Sequence, residues 1–180
     1  MIKTIKKLYF YSGIPIIGAA LLIVHMGKTD AFIMLWRELL VIFGYVAAAL
    51  DIKTKKIPNN LVLVMLSAWA LAIVPKLFVD IEAATALLKD SLLGFLVGGG
   101  LFLLVYLISR KGLGGGDVKF MAAAGLYIGF AGTLSSMLYG TVLAGLVGLI
   151  LLLLKKIGRK DAIPLAPFLY IGILITIFCR

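Results

Sequence analysis

Long uncharged stretches constrain this chain more than any other feature of its sequence. Several apolar runs approach the roughly 20 residues that a helix needs to cross a bilayer. Of 180 residues, 63% are apolar and 14% are charged, whereas soluble domains average about half apolar and a quarter charged. The sequence therefore predicts an all-α, polytopic membrane protein. The clearest runs are 8–26, 60–79, 91–109 and 162–179.

We expect a bundle of about seven transmembrane helices. The second is weak because it contains Arg37 and Glu38, and we expect it to begin as an interfacial turn and to enter the membrane from Leu39. The run 118–154 is too long for one span, so we place a tight turn within 129–135, where Gly, Thr and Ser are concentrated. The expected spans are 8–26, 31–50, 60–79, 91–109, 117–134, 136–154 and 162–179.

The basic residues predict the orientation of these spans. Of the 18 basic residues, five (Lys28, Arg37, Lys76, Lys89 and Arg180) fall on one face, which leaves 13 on the other. Cytoplasmic loops of membrane proteins carry the excess of Lys and Arg. We therefore expect a protein of the cytoplasmic (inner) membrane with its N-terminus inside. The same bias explains the net charge of +10, so we expect no nucleic-acid partner. The basic face comprises segments 1–7, 51–59, 110–119 and 155–161.

A metal site or cofactor is not expected. The chain has one cysteine, Cys179, and one histidine, His25. This composition excludes an internal disulfide and any cluster of cysteine or histidine ligands.

Two of the eight acidic residues are functional candidates. Asp51 and Asp117 each lie at the cytoplasmic edge of an apolar span, and ionisable groups at membrane depth are costly and often functional. The others have simpler expected roles: solvated external loops for Asp30, Asp80, Glu82 and Asp90, a helix cap for Asp161, and a position beside Arg37 for Glu38.

Either candidate has an ordinary structural explanation when it is considered alone. Asp51 is placed to pair with Lys55 at the interface, and Asp117 opens a helix, where the dipole favours an acid. Two carboxylates on one face of the membrane also meet the minimum for aspartic catalysis. At about 3 Å apart they cannot both ionise, so one stays protonated while the other acts as a base towards water.

The residues that flank the two acids predict local structure. Pro58 stops the helix that contains Asp51, and Asn59 or Asn60 is expected to cap the next helix. The glycine-rich segment 112–116 precedes Asp117. We expect it to adopt left-handed or extended conformations, to act as a hinge, and to let a substrate strand approach.

Three short motifs carry a resemblance to a known family. Residues 114–119 read GGGDVK, Asp51 is followed by Ile-Pro-Asn at 57–59, and residues 163–168 read IPLAPF. Together they resemble the G-x-G-D-x-K, D…I-P-N and I-P-[FL]-x-P-F stretches of the type IV prepilin peptidases. These are GxGD membrane aspartic proteases, a group that includes archaeal preflagellin peptidases. The resemblance covers roughly 41–178.

The resemblance implies an activity and roles for individual residues. It implies an aspartic endopeptidase that removes the short basic leader from prepilin-like precursors (type IV pilins, pseudopilins or flagellin-type proteins) at the cytoplasmic membrane face. By this resemblance Asp51 and Asp117 are the catalytic dyad and activate water without a metal or cofactor. Gly114 and Gly116 would shape the loop, and Lys119 would tune the site electrostatically.

The resemblance also implies a domain organisation. Residues 31–180 would form a six-helix GxGD peptidase domain, and 1–30 an extra N-terminal transmembrane helix. Bifunctional relatives carry paired CxxC motifs associated with N-methylation, so with one cysteine we expect a short form without methyltransferase activity. The expected partners are a prepilin-like substrate and the lipid bilayer, with a pilus or secretion assembly as a further candidate.

Three alternatives remain open from the sequence. A presenilin-like or signal-peptide-peptidase-like protease shares GxGD, but it pairs that motif with Tyr-Asp and Pro-Ala-Leu. Here Leu50 precedes the first acid and 165–167 read Leu-Ala-Pro. A cation transporter would place its acids on broken helices near the membrane midplane. The third alternative is a non-catalytic membrane scaffold.

Overall fold

The computed structural model describes residues 31–109, 112–158 and 163–179. The expected first span, 8–26, and the positions of Asp30 and Asp161 lie outside these residues. The described residues form helices joined by short loops, without strands. The helices are α1 (Ala31–Thr54), α2 (Asn59–Val79), α3 (Ile81–Ile108), α4 (Gly115–Leu153) and α5 (Ala166–Phe178).

The prediction of an all-α, multi-pass membrane protein is confirmed, whereas the count of seven spans is not. Among the described residues, α1 to α4 are each long and apolar enough to cross a membrane, and α5 is a shorter apolar helix. The expected interfacial turn before Leu39 is wrong. Helix α1 is continuous from Ala31, because the charged side chains of Arg37 and Glu38 do not prevent backbone hydrogen bonding along the helix.

Helices α2 and α3 are separated by a single residue, Asp80. Its backbone is extended, and its carboxylate accepts a hydrogen bond from the Ala83 amide at 3.0 Å. This bond satisfies one of the free N–H groups that open a helix. The expectation of an external loop around Asp80, Glu82 and Asp90 is therefore wrong, since Asp80 caps α3 and the other two lie inside it.

Helix α4 consists of two arms that meet at Gly129. Gly129 has φ 68° and ψ −173°, which is outside the helical region. A Cβ on Gly98 of α3 would meet Met121 O at 2.5 Å and Thr133 Cγ2 at 3.1 Å. Both arms therefore flank the same point of α3, so the chain reverses direction at Gly129. This confirms the turn predicted within 129–135. We call 115–128 the first arm and 130–153 the second arm.

The carboxylate of Asp90 stabilises this reversal. Its Oδ1 accepts a hydrogen bond from the Phe130 amide at 3.0 Å, so an acid from α3 caps the second arm of α4. The tight fit explains why residue 129 is glycine, because a Cβ there would overlap the Asp90 carboxylate. Asp90 is exposed to solvent, but it has a structural role.

We expect Gly129→Ala to lower stability by about 2 kcal/mol or more. Alanine would have to adopt a backbone region that is essentially restricted to glycine, and its methyl group would displace the Asp90 cap. Thermal unfolding in detergent measures the loss. Gly145→Ala is the matched control in the same helix, because a Cβ there meets nothing within 4 Å. Equal unfolding midpoints for the two variants would contradict this account of the reversal.

Close backbone contacts and buried side-chain hydrogen bonds hold the bundle together. Gly94 and Gly125 let α3 and the first arm approach backbone to backbone, as small residues do in membrane helix pairs. The Tyr127 hydroxyl donates to Met65 O at 2.6 Å, which ties the first arm to α2. Ser136 donates to Thr176 at 3.0 Å, which ties the second arm to α5. The end of α1 meets the beginning of α5 at one end of the bundle, and the beginning of α4 packs there on the loop that follows α1.

Candidate active site

Asp51 lies in the last turn of α1, next to the beginning of α5. The helix ends soon after it, where Lys55 adopts a positive φ of 52°. The Ala166 amide donates a hydrogen bond to Asp51 Oδ2 at 3.0 Å, and Asp51 is only 6% exposed. Free N–H groups at the beginning of a helix are good donors to a carboxylate. The terminus of α5 therefore holds the Asp51 carboxylate in a fixed position.

Asp117 lies in the first turn of α4. The backbone of Gly114 precedes the helix in an extended conformation, and the Asp117 amide donates to Gly114 O at 3.1 Å. Asp117 is 8% exposed, and its Oδ1 is buried without a hydrogen-bond partner among the described residues. Buried polar atoms are normally satisfied by protein or water. This oxygen is therefore a buried acceptor for which the described residues supply no donor.

The structure brings the two aspartates together at one end of the bundle. The carboxylates of Asp51 and Asp117 are close enough to interact electrostatically. The loop after Asp51 also packs on the beginning of α4, since a Cβ on Gly116 would meet Ile57 Cβ at 3.1 Å. Asp51 and Asp117, which are 66 positions apart in sequence, are thus brought to the same part of the bundle.

The site is recessed behind the end of α3. Gly98 of α3 lies against Met121 of the first arm. The two helices are antiparallel, so the residue four positions after Gly98 lies beside the residue four positions before Met121. Asp117 is therefore level with Phe102, six residues before α3 ends at Ile108. At 1.5 Å per residue this depth is about 9 Å, which explains how an acid near a loop becomes buried.

The glycines before Asp117 serve close packing, and of the left-handed or extended conformations that the sequence predicts, Gly114 adopts the extended one. Among the described glycines, Gly129 alone has positive φ, and Gly114 has φ −73°. A Cβ on Gly114 would lie 2.7 Å from Asp117 Oδ2, and one on Gly116 would press against Ile57. Their lack of a side chain makes room for the carboxylate and for the neighbouring loop.

The Ile-Pro-Asn motif contacts α4 in a way that the sequence did not predict. Pro58 occupies the cap position of α2 without a side-chain cap hydrogen bond, so the expected cap by Asn59 or Asn60 is wrong. Instead, Lys119 Nζ donates to Asn59 Oδ1 at 2.9 Å. The pair links the beginning of α2 to α4 two residues after Asp117, and the proposed electrostatic role of Lys119 stays a prediction.

A cavity of about 400 Å³ lies beside Asp117. Apart from Asp117 and Lys55, its lining is glycine or apolar, with Ala144 from the second arm and the segment before α5. Sequence reasoning missed Ala144, and it quoted IPLAPF without assigning it a role. Pro164 and Pro167, which flank Leu165 and Ala166, were the available signal for a helix terminus next to the site. The lining residues before the helices are Gly112, Leu113, Gly114, Ile163, Pro164 and Leu165.

Among the described residues, no group of three or more His, Cys, Asp or Glu side chains is placed to hold a metal ion. Two neighbouring carboxylates, of which Asp117 lines a small cavity, are sufficient for acid–base activation of water. The geometry therefore suits hydrolysis by a carboxylate pair.

Comparison with known proteins gives a family and several relatives. Residues 38–153 match the type IV leader peptidase family. The chain is similar to the prepilin leader peptidase/N-methyltransferase of Legionella pneumophila, with 29% identity over 86% of this chain and 52% of the relative. Proteins of the same description from two other bacteria also match. The one from Burkholderia pseudomallei strain K96243 is 30% identical over 76% of this chain and 45% of the relative. The one from Bacillus subtilis strain 168 is 25% identical over 71% of this chain and 48% of the relative.

The chain spans about half the length of the curated relatives that it matches. No solved structure gives a significant match.

Proposed function

The chain belongs to the type IV leader peptidase family, and from that premise we propose that it is a membrane-embedded aspartic endopeptidase. Its substrates would be prepilin-like precursors, from which it removes the short basic leader at the cytoplasmic membrane face. The proposal concerns the peptidase activity, because the relatives are about twice as long as the matched region. The family match favours this activity over a presenilin-like protease, a transporter or a scaffold.

The observation that carries the proposal is the meeting of two buried aspartates beside a cavity. Asp51 and Asp117 come from different helices, yet they interact at one end of the bundle. Two neighbouring buried carboxylates favour a state in which one of them is protonated, because like charges and burial both disfavour ionisation. One protonated and one ionised carboxyl group is the state that aspartic hydrolysis requires.

The geometry suggests how the pair would act. One carboxylate would accept a proton from a water molecule in the cavity while the water oxygen attacks the carbonyl carbon of the scissile peptide. The other carboxyl group would donate its proton to the departing nitrogen as the C–N bond breaks. Asp51 is oriented for this by the Ala166 amide, and Asp117 lines the cavity that would hold the water.

We further propose that the aspartate end faces the cytoplasm of the inner membrane. Described lysines lie on this side in the last turn of α1, in the α1–α2 loop and directly after the second arm, and cytoplasmic loops are enriched in lysine. With the arms of α4 counted separately, the described helices would make six passes, which would form the proposed peptidase domain 31–180, with 1–30 as an extra N-terminal helix. A pilus or secretion assembly would then be a partner through its precursors. The lysines are Lys53, Lys55, Lys56, Lys155 and Lys156.

We expect the purified chain to cleave a prepilin-like substrate at one bond. The substrate is a precursor with a short basic leader followed by an apolar helix, presented in detergent or liposomes. Intact-mass spectrometry of both products locates the bond between leader and helix. A panel of such precursors left uncut under conditions where the chain remains folded would overturn the proposal.

A further inference from the structure

A second cavity lies at the end of the bundle opposite the aspartates. Its volume is about 250 Å³, and it is enclosed by the beginning of α1, the first half of α3, the reversal at Gly129 and the end of α5. We call it the distal cavity. The lining residues that matter here are Phe32, Trp36, Arg37, Asp90, Tyr127 and Thr176.

The length of α3 places the distal cavity at the boundary between hydrocarbon and headgroups. Its 28 residues span about 42 Å, whereas the hydrocarbon layer is about 30 Å thick. The excess is about eight residues. The charged residues Glu82, Lys89 and Asp90 all lie within the first ten positions of α3, and 91–108 is uncharged. Asp90 therefore marks the boundary.

Aromatic and basic side chains also lie in and around the distal cavity. The Trp36 ring packs against two others. Its centroid lies 6.2 Å from that of Trp69 and 5.5 Å from that of Tyr127. Lys76 Nζ lies 4.6 Å from the centre of the Phe32 ring. Trp, Tyr and Lys are enriched where headgroups meet hydrocarbon.

The lining offers groups for both charges of a zwitterion. Trp36 is 4% exposed, and its indole N–H has no hydrogen-bond partner among the described residues. Arg37 brings a guanidinium group, which has five donors and binds phosphate in a bidentate manner. Asp90 uses Oδ1 to accept from Phe130, and a carboxylate has capacity for further donors.

We propose that the distal cavity binds the headgroup of phosphatidylethanolamine. The phosphate lies against Arg37 and the Trp36 indole N–H, and the primary ammonium donates to Asp90. Phosphatidylcholine fits less well because its quaternary ammonium has no N–H donor. Phosphatidylglycerol has no cation to place beside Asp90. The lipid would bridge α1 and α3 next to the reversal of α4.

Native mass spectrometry of the full chain in detergent tests this proposal. The chain is titrated with phosphatidylethanolamine, phosphatidylcholine and phosphatidylglycerol that have identical acyl chains. We expect about tenfold tighter binding of phosphatidylethanolamine, the effect of one charge-assisted hydrogen bond. Arg37→Gln should weaken that binding about tenfold, and Trp36→Phe, which removes one neutral donor, about threefold.

Lys89→Gln is the matched control, because Lys89 is an exposed cation next to Asp90 and lies outside the lining. It should leave binding unchanged. Equal binding of the three lipids, or equal effects of Arg37→Gln and Lys89→Gln, would overturn the proposal. So would displacement of the lipid by excess inorganic phosphate, which would identify a simple phosphate site. If Arg37→Gln does not fold, the lipid ranking and the conservative Trp36→Phe variant decide. The readout is independent of peptidase activity.

Discussion

Asp51→Asn and Asp117→Asn should each reduce leader cleavage by about a hundredfold to ten-thousandfold. An amide cannot accept the proton of the attacking water or donate one to the departing nitrogen, and loss of acid–base catalysis costs about 10²–10⁴ in rate. The two carboxylates act as one unit, so the double variant should be no worse than either single variant. Mass spectrometry of the products formed over hours at high enzyme concentration can detect cleavage rates this far below that of the wild type.

The structure makes these substitutions conservative for folding. The amide oxygen of asparagine at position 51 can still accept the hydrogen bond that the Ala166 amide donates to Asp51. Asp80→Asn is the matched control, because Asp80 caps α3 at the other end of the bundle and asparagine caps a helix equally well. It should retain full activity. Cleavage at an undiminished rate by either dyad variant would remove Asp51 and Asp117 from the mechanism.

Gly114→Ala should reduce cleavage about a hundredfold while leaving the protein folded. The backbone of Gly114, with φ −73° and ψ 133°, suits alanine, so no backbone strain is expected. The new methyl group would lie 2.7 Å from Asp117 Oδ2, well inside contact distance, and the carboxylate would have to rotate away. A displacement of about 1 Å of a catalytic group is enough for a loss of this size.

Gly115→Ala provides the comparison one residue further along. A Cβ at that position meets only Tyr106 Cε2, at 4.0 Å, so its activity should stay within about twofold of the wild type, as is usual for surface changes with small energetic effects. Parallel thermal unfolding separates a displaced carboxylate from a destabilised protein. If both alanine variants lose activity equally, the loop acts through flexibility, as the sequence had suggested, and the steric explanation is wrong.

Some features of the site could be predicted from the sequence because they depend on composition and local order. Asp51 and Asp117 stand out because charged residues are rare in apolar segments, and the lysines around them indicate a shared face. The turn after Ile128 was expected because an apolar run of that length exceeds one membrane crossing. Each of these inferences needs only the neighbouring residues.

Other expectations failed because they depend on partners far away in sequence. Asp90 was assigned to a solvated loop, but it caps the second arm 40 residues later. Asn59 was expected to cap its own helix, yet it accepts a hydrogen bond from Lys119, 60 residues away. A side chain that could cap its own helix can also bond to a different helix in the folded chain, and helix packing decides which hydrogen bond forms.

The glycine-rich segment shows the same division. A glycine in a sequence indicates either an unusual backbone angle or a position with no space for a side chain. The two causes can be distinguished only when the residues that surround the glycine in the folded protein are known. At Gly129 both apply, whereas at Gly114 and Gly116 the reason is space beside Asp117 and Ile57.

Hydropathy and motif order are properties of contiguous residues. They are therefore sufficient to predict the membrane class and the helical architecture, and to select Asp51 and Asp117 as the candidate residues. The approach of Asp51 to Asp117, the Ala166 amide that orients Asp51 and the cavity beside Asp117 arise only when α1, α4 and α5 pack together. Helix packing depends on side-chain shape across the whole bundle. For that reason a sequence motif can identify a carboxylate, but the tertiary structure is needed to identify its partners.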